Sequence, residues 1–201
     1  MFTSSRQVAA LIARAVPENS WRTLFAALLL SVSAVGCLGT ASLSASPARV
    51  ETSDGRFHLT FEMPKATWGT TEALSGSATL SRSDAGTSDQ GEAVSGSSSR
   101  IVFAYAEIGG GQRHVDPVWP ADCLDWSLGG GKSATSTLTK SGGWQPGDPN
   151  ASFSQAFLTD PQIHLPPGDW TISARAQFYE GSSCDGAAHD LSADVQVHVT
   201  A

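Results

Sequence analysis

The chain has 201 residues, 40% of them hydrophobic, which is enough for one modest domain with a real core. Charged residues make up only 15%, a mix that suits an exported β-rich protein better than a cytosolic helical one. Residues 1–36 hold Arg6, Arg14 and Arg22 against Glu18, so of the net charge of −7 they carry +2 and the remainder carries −9; a chain that acidic repels phosphates, which sets nucleic acid aside as a partner.

In chain order, the first feature is "TLFAALLLSVSAVGCLG", residues 23–39, uncharged and directly preceded by Arg22. A basic region, an apolar run and then small residues is the order of an export signal, and the run is short for a membrane span. Residues 1–36 are read as a signal peptide. "AVGC", Ala34 to Cys37, resembles the lipobox of bacterial lipoproteins: Gly36 and Cys37 match, while Ala34 stands where Leu is usual. The resemblance implies that the Cys37 thiol takes a diacylglyceryl group and that a peptidase cuts between Gly36 and Cys37, leaving a membrane-anchored protein. An ordinary cleaved signal, giving a secreted protein, and an uncleaved anchor stay open beside it. All three place residues 50–201 outside the cytoplasmic membrane.

"LGTASLSASPARV", 38–50, is rich in Ser and Ala and reads as a flexible spacer, so residues 37–50 are taken as lipidated cysteine plus tether and 51–201 as the domain. From there the pattern is β. "FHLTFEM" (57–63), "LSGSATL" (74–80), "WTISARAQF" (170–178) and "LSADVQVHV" (191–199) alternate apolar and polar residues, one face buried and one wet. "RIVFAYAEI" (100–108) is apolar on both faces and reads as a central strand. "SDAGTSDQGEAVSGSSS" (83–99) reads as a long polar loop, and "ASFSQAFL" (151–158) as a helical turn or a short strand. Seven or eight short strands separated by Gly/Pro turns predict an all-β, antiparallel sandwich.

"RIVFAYAEI…VDPVWPADC…LGGGKS…LPPGDWTISARAQF" resembles bacterial immunoglobulin-like domains and is similar in layout to the intracellular proteinase inhibitor family of bacteria, over roughly residues 57–180. The resemblance implies an immunoglobulin-like sandwich. It also makes a secreted protease inhibitor, acting through loop 112–127, an alternative function. The chain departs from that family by carrying Cys123, Cys184 and the export signal.

Three cysteines are present. If Cys37 is acylated, Cys123 and Cys184 remain as an even pair able to form one disulfide in an oxidising compartment.

"LGGGKS", 128–133, fails as a phosphate loop, because Trp126 occupies the position of the first required Gly. His58, His114, His164, His189 and His198 show no metal-ligand spacing and read as surface histidines, with His58 and His198 on the polar sides of strands that can be neighbours. Asp122 and Asp125 flank Cys123, the other acidic groups look dispersed, and no serine sits in a nucleophile motif, so no catalytic residue, metal or cofactor is expected. Trp119, Trp126 and Trp144 fall in loop-like segments, and together at one end of the sandwich they would form a binding surface; the alternative is that they cover the open end of the core. The sequence thus points to an exported, lipid-anchored envelope protein that binds an unidentified protein or small molecule, with an envelope enzyme as a further alternative.

Overall fold

The computed structural model describes residues 46–83, 91–109 and 113–201. The segment read as a signal peptide, the expected cut site at Gly36 and Cys37, most of the segment read as a tether and the middle of the 83–99 segment lie outside the described residues.

Two sheets form a sandwich. The first runs β1 (Ala48–Ser53), β2 (Phe57–Met63), β4 (Ser77–Arg82), β9 (Ala134–Thr137), all antiparallel. The first strand thus begins at Ala48, ahead of the boundary read at Glu51. In the second sheet β3 (Thr67–Gly69) lies parallel to β11 (Ala188–Thr200), which pairs with β10 (Gly168–Glu180). The far edge of β10 is shared by two strands end to end, β5 (Glu92–Gly96) and β6 (Val102–Glu107). Beyond them, also end to end, lie β8 (Leu124–Leu128) and β7 (His114–Val115). Once β2/β3, β5/β6 and β7/β8 are joined as interrupted strands, the eleven described strands occupy eight positions, in an immunoglobulin-like order.

Period-2 alternation places the core. Phe57, Leu59, Phe61 and Met63 of β2 face Trp170, Ile172, Ala174, Ala176 and Phe178 of β10 and Leu191, Ala193, Val195, Val197 and Val199 of β11, every one buried. A one-residue slip of either long strand would turn this whole set into solvent, so the register is strongly specified. Both faces of β6 are covered through Tyr105, as its unbroken apolar run predicts.

Local chemistry closes the ends. Trp170 opens β10 and donates its indole N–H back to the Pro166 carbonyl at 3.0 Å, fixing the "LPPGDW" corner. Gly130 and Gly131, both in the left-handed region at φ 58° and 78°, form the two-residue turn that closes the Gly129–Lys132 bridge. This is the structural role of "LGGGKS". The ambiguous 151–158 segment is a helix, α1 (Ala151–Thr159). It buries Phe157 against Tyr105, with ring centroids 4.9 Å apart, and stacks Phe153 on Phe157. Lys140 reaches across to the carbonyls of Phe157, Asp160 and Gln162, satisfying the carbonyls at the helix C-terminus. Asn150 is buried, with its amide donating to the His114 carbonyl and to Ser154.

Candidate functional site

The 83–99 segment is not wholly loop. It contains β5, whose Val94 enters the core. Ser95, on the opposite face, is fully buried because the β10–β11 connection folds over it. That connection, residues 181–187, is an ordered cap. Gly181 N–H donates to the Ala93 carbonyl, Ser183 N–H to Asp125 Oδ1 and Cys184 N–H to Ser95 Oγ at 2.9 Å. Ser183 and Cys184 both hold left-handed backbone at φ 74° and 53°, which costs about 1 kcal/mol or more for each non-glycine residue. The Cys123–Cys184 disulfide, with Cα atoms 6.2 Å apart, ties this strained cap to the loop ahead of β8. The bond matches the pairing expected from cysteine parity.

The cap, the loop and the outer face of β10 and β11 enclose a groove of about 540 Å³. Its apolar wall includes Trp119, Pro120, the disulfide and Tyr179, which is 36% exposed. Its polar groups include Ser97, Asp122, Gln177 and Asp190. Ser98 N–H donates to Asp122 Oδ1 at 3.0 Å, and Ser97 donates to the same oxygen; the Ser98 N–H leads in holding this carboxyl below its usual range. Gln177 donates to Asp190 Oδ2 at 3.3 Å.

The three tryptophans do not gather into one surface. Trp119 lines this groove. Trp144, 41% exposed, lines a second, more polar hollow with His114, Asp116 and Asp148. That hollow adjoins β7, whose Val115 pairs through Tyr105 to Ile172, whereas the groove sits at Phe178, about 20 Å further along β10. Trp126 is no loop residue. It lies on the inner face of β8, 8% exposed, against Phe178. Its sequence neighbours Cys123 and Asp125 make the segment read as loop, but its register with Val94 turns the ring inward.

Sequence reading missed a charged cluster at the same end of the sandwich. His189, only 14% exposed, lies on the inner face of β11 between two carboxylates, with Nδ1 2.6 Å from Asp54 Oδ2 and Nε2 2.9 Å from Glu180 Oε1. The ring also stacks on Phe178 and meets the Phe57 ring edge-on. Arg56 binds Glu180 and Glu92, and Arg82 approaches Glu92 at 3.1 Å, so the cluster laces one sheet to the other. His189 first, and Arg56 next, hold the Glu180 carboxyl below its usual range. Burial pushes Asp54 up, but the N–H groups of Phe57 and Arg56 and the His189 ring outweigh it, and the net direction is down. The signal available in sequence was the "SDGR" turn, where Asp54 Oδ1 accepts from the Arg56 and Phe57 N–H groups.

His58 and His198 are not neighbours. His58 lies on β2 with Glu51 and Ser83, and His198 on β11 with Asp169 at 2.7 Å, in the other sheet. Among the described residues no group of His, Cys, Asp and Glu is placed to hold a metal ion, and no helix is long and apolar enough to cross a membrane. No family model and no curated protein matches the chain.

Proposed function

We propose that the chain is an exported, lipid-anchored cell-envelope protein whose β-sandwich is a non-catalytic binding module, with the groove beside the disulfide as its binding face. The observation that carries this reading is the Cys123–Cys184 bond. It uses two of the three cysteines and leaves Cys37, in its lipobox-like setting, as the one thiol for acylation. A bond that holds a strained cap also fits an oxidising compartment. The groove supports the binding part: it is concave, combines aromatic with polar walls, and rests on a rigid sheet. The charged groups that do converge, Asp54, Arg56, Glu92, Glu180 and His189, bind one another across the two sheets, the arrangement of a structural clasp.

The test is fractionation of cells making the full-length protein and its Cys37→Ser variant, with intact mass of the mature forms. The expected result is membrane association with a diacylglyceryl increment on Cys37, both lost in the variant. Release of both forms as soluble protein of one mass would overturn the anchor.

A further inference from the structure

We infer that the groove beside the Cys123–Cys184 bond takes an organic cation: an ammonium, guanidinium or quaternary ammonium group. This rests on the binding-module reading of the same groove and names its ligand class.

Four observations point the same way. Trp119 and Tyr179 both line the groove, and aromatic faces attract cations through their ring quadrupoles, Trp most strongly. Its two carboxylates, Asp122 and Asp190, enter from opposite sides, one from the loop before β8 and one from β11. Both carboxylates are oriented in advance. The bonds from Ser97 and Ser98 go to Oδ1 of Asp122 and the bond from Gln177 goes to Oδ2 of Asp190, which fixes how each carboxyl is turned. No Lys or Arg is among the lining residues, and the histidine there, His189, has both ring nitrogens committed to Asp54 and Glu180. An anion entering the groove meets two carboxylates and no fixed cation, whereas a cation gains both charges and both rings. The disulfide, Pro120 and Ala121 on the wall displace water, which strengthens such contacts. A volume of about 540 Å³ holds a trimethylammonium or guanidinium head with several flanking atoms.

The same chemistry reaches the groove from two sources, a free small molecule or a Lys or Arg side chain of a protein. Calorimetric titration of the full-length protein in detergent micelles separates them. The probes are choline, the peptide acetyl-Gly-Arg-Gly-amide, its Glu counterpart and glucose. Saturation by choline or by the Arg peptide, weakened by added salt and absent for the Glu peptide and glucose, is the expected result. Choline alone would identify a small-molecule ligand and the peptide alone a protein ligand. Affinity should fall about 10-fold in Trp119→Ala and about 5-fold in Asp190→Asn. The near-isosteric Asp190→Asn keeps the test sharp if Trp119→Ala unfolds. No saturation by either cation up to about 10 mM, or unchanged affinity in folded Asp190→Asn, would overturn the inference. Saturation by glucose in place of the cations would also overturn it while leaving the binding-module reading standing.

Discussion

His189 shows how a single residue can take its meaning from contacts remote in sequence. Asp54 is 135 positions away from it, and only the β1–β2 turn and the β10–β11 ladder bring the two together. Both carboxylates facing His189 have folded-state pKa values below their ordinary 3.8 and 4.5. Groups depressed on folding stabilise the fold above their unfolded pKa, and that stability drains as pH falls through the folded value. The stability that these two groups contribute should therefore hold down to about pH 5 and be lost progressively below about pH 4. Chemical denaturation across pH checks this: the double variant Asp54→Asn, Glu180→Gln should show a flatter acid limb. Gly186 carries a second residue-scale expectation. A Cβ there would lie 1.9 Å from the Glu180 carbonyl oxygen, so Gly186→Ala must displace the cap. It should cost about 1–3 kcal/mol in urea melts. Neither role was legible in the sequence: a lone His among acids reads as surface, and a Gly in a polar stretch reads as any turn. The tryptophans divide in the same way. Trp170 was legible because its own strand alternates around it, whereas Trp126 was not, because β8 is short and only its partner β5 says which way it faces.

At the scale of elements, the cap 181–187 and its disulfide behave as one unit. The bond closes a 61-residue separation, for which the chain-entropy model gives about 4 kcal/mol. Part of that offsets the left-handed backbone at Ser183 and Cys184. Reduction, or Cys184→Ser, should lower stability by about 2–4 kcal/mol and open residues 181–187 to proteases before the rest of the domain. Limited proteolysis followed by mass spectrometry reads the site of first cleavage, and cleavage elsewhere first would contradict the role given to the cap. The long strands β2, β10 and β11 were legible because alternation is a property of the segment itself. β5 was not, since its Ser and Gly residues are buried by what folds over them: the cap covers Ser95, and Gly96 lets the Gln177 carbonyl approach to 3.1 Å of where a Cβ would stand. Helix α1 was half-legible, because Phe153 and Phe157 have helical spacing but nine residues are too few for a periodicity to dominate.

For the molecule as a whole, the sandwich is the level that sequence specifies best, because every long strand votes independently for one buried face. The groove is the level it specifies least, since its walls come from the loop before β8, the ends of two strands and a cap tied to that loop by a bond between distant cysteines. One consequence follows from the register of β1 on β2. Ala48 pairs with Met63 at one end of the ladder and Ser53 with His58 at the other, next to the Asp54–His189 contact and the groove. The chain therefore enters the domain about 20 Å from the groove, measured along the strand. If the protein is held upstream of Ala48 while a partner tugs at the groove, the load runs parallel to β1 and across its hydrogen bonds to β2. Those bonds are then strained together in shear instead of being unzipped one at a time, and the attachment strand resists detachment where a sideways pull would peel it away.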